Sequence, residues 1–332
     1  MQGKTELDLV RSAGSLDPQG PVAEVMADLW WLMLGLGVVV FAVFAALLAV
    51  GLLRRRSAED AEPARGPTFS RWIVSGGVVM PVIVLIVVFG ATVRAMRVLP
   101  ATAPGEALVV EIVGHQWWWE VRYPAEGITT ANELHIPVGR PIALELTSAD
   151  VIHSFWVPAL GGKMDLLPDG VNTLVLQADV PGEHVSQCAE FCGLQHANHG
   201  LIVVAEPAER FATWVAEQRR PAVATTLRGQ EVFSQSNCAD CHTISGTPAS
   251  GTDGPDASTA SRPRSPAPAG GPDLTHLASR RTLGSALLPN TPEHLTSFVA
   301  DPQAIKPGAQ MPAPQLSEQD LEALLAYLRS LE

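Results

Sequence analysis

The sequence predicts a membrane-anchored chain of several domains: two transmembrane helices, then a β-sandwich or barrel, then an all-α domain. Three observations carry this. Residues 29–53 and 72–93 contain no charged side chain. Residues 105–206 break into short β-branched and aromatic runs divided by Pro and Gly, as in sandwiches and barrels. Residues 226–332 combine helical patterns with a Cys-x-x-Cys-His motif. The length of 332 residues allows two or three domains. The expected boundaries are a tail with a helical hairpin over 1–98, the β domain over 99–220 and the helical domain over 221–332.

Residues 1–26 are polar and mixed in charge, unlike a signal peptide with its basic lead and apolar centre. The run from Leu29 to Leu53 is long enough to cross about 30 Å of hydrocarbon, with Trp30 and Trp31 where interfacial aromatics belong. Arg54, Arg55, Arg56, Arg65 and Arg71 make the connecting loop, 54–71, the basic one, so the positive-inside rule puts it in the cytoplasm. A second span, Trp72 to Val93, crosses back with Pro81 as a kink position and ends near Arg94 and Arg97. Both termini, and everything after about residue 98, are then expected outside, on the periplasmic or extracellular side.

Strands are expected at Ala107 to Val113, Glu133 to Ile136, Ile142 to Leu146, Thr173 to Leu176 and Leu201 to Val204, and in the run 149–158. Gly114-His115-Gln116-Trp117-Trp118-Trp119 is unusual. Three consecutive tryptophans on a strand alternate between faces, so at least one should lie at a surface or boundary. His115 reads as a hydrogen-bonded structural histidine.

Residues 187–199 crowd Cys188, Cys192, His196 and His199 into one loop, and His153 stands upstream on an expected strand. Zinc sites usually show two closely spaced Cys pairs, and here there is one pair with a histidine following. Thiolate with imidazole suits copper as well as zinc. Four cysteines are the whole supply, and the other two lie in the second motif, so none remains for a structural disulfide.

Residues 207–220 read as a helix with Phe211, Trp214 and Val215 on one side, ended before Pro221. Thr226 to Ser236 then leads into Cys238-Ala239-Asp240-Cys241-His242, the haem c attachment motif, in which two thioethers hold the porphyrin and the adjacent histidine supplies an axial nitrogen. Met311, between helical stretches Pro292 to Ala300 and Ser317 to Leu331, is the candidate sixth ligand, with His276 and His294 as rivals. Residues 244–270 are rich in Gly, Ser, Pro, Ala and Thr and read as a flexible insertion.

Net charge is −12, and residues 94–332 carry 15 Lys and Arg against 26 Asp and Glu, so nearly all the acidity belongs to the C-terminal part. That argues against nucleic acid as a partner and for a cationic protein donor steered by charge.

From Val151 to Val204 the chain resembles subunit II of haem-copper cytochrome oxidases: His153-Ser154, then Val157-Pro158-Ala159-Leu160-Gly161, then Cys-x-Glu-x-Cys-Gly-x-x-His. Residues 226–332 resemble class I cytochrome c, and the whole is similar to subunit II of caa-type oxidases. The resemblance implies a cupredoxin-like Greek-key β-barrel holding the two-copper CuA centre. Cys188 and Cys192 would be bridging thiolates, His153 and His196 imidazole ligands, and Glu190 a ligand through its backbone carbonyl. The Glu190 carboxylate would reach a magnesium shared with subunit I, and Trp117 would take the family's electron-input position. Implied partners are oxidase subunit I with the other subunits, and a soluble cytochrome c or cytochrome bc complex as donor, in a bacterial inner (cell) membrane.

Three departures stand out. The family's methionine after the second histidine ligand is His199 here, a stronger donor for Cu(II) than a thioether. Asp169-Gly170 replaces its Gly-Arg, and Val74 stands where a glutamate guards a proton route. The first keeps an alternative alive, a divergent subunit II-like tether with an altered or non-functional copper site that serves as a membrane-anchored cytochrome c carrier. A quinol oxidase subunit II would need no metal ligands, which Cys188 and Cys192 argue against. A copper-delivery protein would need neither His196 nor the fused haem motif.

Overall fold

A computed structural model describes residues 14–53, 67–100, 105, 107–222, 226–246 and 270–332. Arg54, Arg55, Arg56 and Arg65, residues 247–269 of the expected insertion, and residues 1–13 lie outside the described residues. The chain divides into two units, Glu24–Pro100 on one side and Met1–Ala23 with Ala101–Glu332 on the other.

The smaller unit is helical. Helix α1 (Pro21–Leu53) starts eight residues before the apolar run, with Pro21 at its first position and Glu24 in its first turn, both favoured at a helix N-terminus. The second span is α2 (Pro67–Val74), a π-helical stretch Ser75–Val79, and α3 (Met80–Val98). The loop expected over 54–71 therefore closes before Arg71, and α3 carries Arg94 and Arg97 instead of ending before them. Pro81 sits just past the π stretch, whose wider turn accommodates the missing N–H and the bulk of its ring. Phe41, Leu53, Leu85 and Phe89 are among many exposed apolar side chains on these two helices, both long and apolar enough to cross a membrane.

The larger unit begins with a sandwich of two five-stranded sheets. One has the order β3 (Ile128–Ala131), β2 (Trp118–Tyr123), β1 (Leu108–His115), β5 (Ile142–Ser148), β8 (Asn172–Leu176). The other runs β4 (Glu133–Pro137), β10 (Gly200–Glu206), β9 (Gly182–Cys188), β6 (His153–Trp156), β7 (Met164–Leu166). The β1–β5 and β4–β10 pairs are parallel and the rest antiparallel. Alternating apolar positions close the interior: Ile112, Trp119, Val121, Leu134, Leu144, Leu146, Phe155, Leu201 and Val203 are almost fully buried.

The three tryptophans do not alternate along one strand. The chain turns at Gln116-Trp117, and His115 pairs with Trp118 across the β1–β2 hairpin. Trp119 is fully buried, while Trp117 and Trp118 are half-buried. His115 is held as expected, 3.4 Å from Glu120 and stacked on Trp118 at 4.1 Å. Helix α4 (Ala208–Gln218) turns Phe211, Trp214 and Val215 onto the sandwich, Trp214 stacking on His135 at 4.2 Å.

The helical domain packs α5 (Leu227–Gln235) across α8 (Glu318–Leu328), with α6 (Pro292–Ala300), α7 (Pro302–Ile305) and a short ribbon β11 (Thr282–Leu283), β12 (Leu288–Pro289) between them in sequence. Gly229 makes the crossing possible, since a Cβ there would strike the Ala323 carbonyl and Tyr327 Cβ. Helix α8 stops three residues short of the expected end, and Leu331 is buried in the following turn, so its apolar side chain reflects packing and not helix.

Candidate metal centre

The sheet brings together what the sequence spaces apart. His153 opens β6 and Cys188 closes β9, and Phe155 pairs with Cys188 across the two strands, so both candidate residues face inward at one end of the sandwich. The loop after Cys188 then folds back: a one-turn 3-10 helix, His196–Asn198, returns the chain into β10 and delivers His199 beside the thiols.

His153, Cys188, Cys192 and His199 are all buried, and one ligand atom from each lies within 4.8 Å of the others. The two Sγ atoms are 3.7 Å apart. Cys188 Sγ stands 3.9 Å from His153 Nδ1 and 3.2 Å from the Glu190 carbonyl oxygen. Cys192 Sγ stands 3.6 Å from His196 Nδ1 and 3.7 Å from His199 Nδ1. His196 is half-buried and the Glu190 side chain exposed, so Glu190 offers the cluster its backbone and not its carboxylate. All four cysteines are free.

The electrostatics favour a cation. The hydrogen bond shared with Cys192 pushes the Cys188 thiol well below its usual range, with His153 and His199 adding to it, and the same bond holds Cys192 up. Burial drives His199 down to about 4, leaving a neutral imidazole. Its Nε2 is buried without a hydrogen-bond partner among the described residues, and its ring stacks on Trp119 at 4.2 Å. A neutral imidazole with its Nδ1 on a thiol and two converging sulfurs is the donor set of a soft or borderline metal, so the residues present fit copper.

Sequence reasoning missed two supports. Asp150 receives a hydrogen bond from His153 Nε2 at 2.8 Å and from the backbone N–H groups of Gln116 and Val151 at 2.7 and 2.6 Å. Although burial opposes it, these bonds hold its carboxyl below the usual range and leave His153 Nδ1 toward the cysteines. A carboxylate three residues before a ligand histidine is a signal the sequence offers. Trp117 and Gln116 form the other support, donating from Nε1 and Nε2 to the Cys192 carbonyl at 2.9 and 2.7 Å.

In the haem motif Cys238 to Asp240 form a 3-10 turn after Asn237 in the left-handed region, and His242 N–H returns to the Cys238 carbonyl at 2.9 Å. His242 Nδ1 donates to the Pro272 carbonyl at 2.8 Å, which frees Nε2, and burial holds the ring below its usual pKa. Gly271 lies under that ring, where a Cβ would collide with it. These features fit an axial imidazole. Met311 is half-buried in the loop after α7, its carbonyl accepting from Gln303 at 2.9 Å. The rival histidines are otherwise engaged, His276 with the Gln218 carbonyl at 3.1 Å and His294 with the Pro289 carbonyl at 3.0 Å.

Residues 125–206 match the family model for the periplasmic domain of cytochrome c oxidase subunit II, and residues 226–332 match that for cytochrome c. Cytochrome c oxidase subunit 2 of Alkalihalophilus pseudofirmus is 35% identical over 96% of this chain and 90% of its own length. The subunit 2 of Bacillus subtilis is 29% identical over 96% and 91%. Quinol oxidase subunit 2 of Bacillus spizizenii is 32% identical but spans 65% of this chain and 69% of its own.

Fold, site and relatives define an oxidoreductase subunit with an apolar helical anchor, a copper-type β domain and a cytochrome c domain. The chain belongs to the cytochrome c oxidase subunit 2 family, in the form that carries its own cytochrome c. Its two domains imply copper and haem as cofactors, and membership implies assembly with subunit I and the other oxidase subunits.

Proposed function

We propose that this chain is the electron-input subunit of a terminal oxidase, passing electrons from a c-type cytochrome or cytochrome bc complex through haem c and a CuA centre to subunit I, where oxygen is reduced to water. Cys188, Cys192, His153, His196 and the Glu190 carbonyl would hold the copper, with His199 in the methionine's place. Cys238 and Cys241 would hold the haem covalently, with His242 and Met311 as the residues that would ligate its iron. A thiolate-bridged copper pair supplies a one-electron carrier that needs little rearrangement. The protein's part is to keep that site dry and rigid, which Trp119, Asp150 and the sheet ends do.

The observation that carries this reading is the burial of His199 among the thiols, with Nδ1 3.7 Å from Cys192 Sγ. A histidine swung to solvent would fit the inert-tether alternative instead. The two apolar helices and the fused cytochrome support an anchor in the cell membrane with both soluble domains outside, the basic 54–71 loop inside, and domains over 1–98, 99–220 and 221–332. The exposed Glu190 carboxylate is available to a magnesium at the subunit I boundary.

Metal analysis and paramagnetic resonance of the full chain, purified in detergent with copper supplied, test it. Two coppers per haem with a multi-line mixed-valence signal are expected. One copper or none beside an intact haem would leave the haem as this subunit's sole redox centre and establish the tether.

A further inference from the structure

Lys306 is 3 % exposed, and it forms no ion pair among the described residues. Its ammonium instead donates to three backbone carbonyls: Trp117 at 2.7 Å, Asn198 at 3.0 Å and Gly284 at 2.7 Å. Gly284 belongs to the cytochrome c domain, as Lys306 does. Trp117 and Asn198 belong to the β domain, one donating to the Cys192 carbonyl and the other preceding His199.

The neighbouring residues repeat the pattern. Gln195 Nε2 donates to the Pro307 carbonyl at 2.8 Å. The Ser285 hydroxyl lies 2.9 Å from the Trp117 carbonyl, and Gly200 N–H donates to the Ser285 carbonyl at 3.2 Å. Gly308, at φ +84°, lets the loop lie flat on the copper loop, since a Cβ would come within 2.9 Å of Leu194 Cδ2 and 3.7 Å of the Trp117 ring.

An ammonium stripped of water is a costly way to hold two surfaces together, and burial drives the Lys306 pKa down to about 7. Apolar packing would give cohesion with less penalty. What three converging carbonyls add is register, because the ammonium is satisfied only where all three acceptors are in place.

We propose that Lys306 is a positioning residue that fastens the Met311 loop of the cytochrome c domain onto the copper loop, so that this chain's own cytochrome domain occupies the barrel face around Trp117. An outside donor then meets the cytochrome domain and not the barrel. The proposal rests on the electron-input reading above and goes beyond it by naming the latch and the face it closes.

The test uses the assembled oxidase with Lys306→Met, which keeps the length of the side chain and removes its donors. The first readout needs no copper: hydrogen exchange in the haem-loaded, copper-free protein at residues 115–119 and 196–200. It should quicken about tenfold or more, as the loss of hydrogen bonds to a charged group implies. The second is haem-to-copper transfer after flash reduction of the haem, which should slow about tenfold or more with the haem spectrum unchanged. In the third, an added small c-type cytochrome should reduce the copper of the variant directly and that of the wild type only through its haem. Unchanged exchange and unchanged transfer would overturn the proposal. Should Lys306→Met lose its haem spectrum, Ser285→Ala replaces it, with a two- to fivefold effect expected by the same argument and none overturning it. If wild-type haem fails to reduce copper at all, the electron-input reading falls, and hydrogen exchange alone then decides the latch.

Discussion

Cys188 and Cys192 lie buried at the end of a sandwich whose core has Trp119, Phe155 and Leu146 almost fully buried, whereas Cys238 is half-buried and Cys241 exposed on a one-turn helix. Both are short Cys-and-His segments, yet sheets hold the first, while the second rests on a single 3-10 turn. Twenty-three buried residues make the core cluster of the β domain, against thirteen in the cytochrome domain, among the described residues. A β domain with that much buried apolar surface is expected to fold without its metal. A small helical domain with a lesser core draws part of its stability from the group it binds.

The largest expected effect separates the two regions. Cys192→Ser should abolish copper binding, read as less than about one tenth of the wild-type copper per haem, because a ligand thiolate is lost from the set. Hydrogen-exchange protection of β1 to β10 should persist. Replacing Cys238 and Cys241 together with Ser should remove covalent haem, seen as loss of haem staining after denaturing electrophoresis, and with it the protection of α5 and α8. Equal loss of protection in both domains after either change would break the comparison.

A smaller effect sharpens it. Asp150→Ala frees the His153 ring to rotate or change tautomer and should weaken copper binding about 10–100-fold in a competition titration. Asp150→Asn keeps an acceptor for His153 Nε2 and should cost less. An unchanged affinity in Asp150→Ala would mean that the sheet alone orients His153.

These contrasts also explain what was legible in the sequence. The haem motif is contiguous because the covalent chemistry requires it, so Cys238, Cys241 and His242 stand out as candidates from the sequence alone, and the cytochrome c match covers them. The candidate copper ligands were legible as types and through family resemblance, but their convergence was not, since it depends on the β6–β9 pairing that sets Phe155 opposite Cys188. The turn between β1 and β2 escaped, and with it the sidedness of the three tryptophans, because Gln116-Trp117 carries no Gly or Pro and its side chains look like the strands it joins. Lys306 had no signal at all. A lysine in a Pro/Gly loop reads as solvated surface, and only the tertiary fold shows that three carbonyls replace its water.

The smallest effect concerns a buried charge cluster of the β domain that no ligand uses. His135 Nδ1 lies 3.2 Å from Glu206 and its Nε2 3.7 Å from Glu133, whose Oε1 accepts from the Arg281 and Thr282 N–H groups at 2.5 and 3.2 Å. Burial pulls the His135 pKa down, but the bonds to Glu133 and Glu206 outweigh it and the net shift is upward. The bond from His135 is the main reason Glu206 is held below the usual carboxylate range. A raised histidine contributes stability that is fully present below its unfolded value of about 6.5 and is lost as pH rises through the folded value. A lowered glutamate contributes above its unfolded value of about 4.3 and loses it as pH falls. Stability from this cluster should therefore be greatest between roughly pH 4.3 and 6.5 and decline on the alkaline side as His135 loses its proton. Denaturant midpoints at mildly acid and mildly alkaline pH check the sign, and His135→Gln should flatten the difference. Because Glu133 also caps the two N–H groups that open β11, the alkaline loss should reach residues 281–283 while leaving α5 and α8 untouched. A loss spread evenly over the cytochrome domain would show that its stability is set by the β domain and not by its haem.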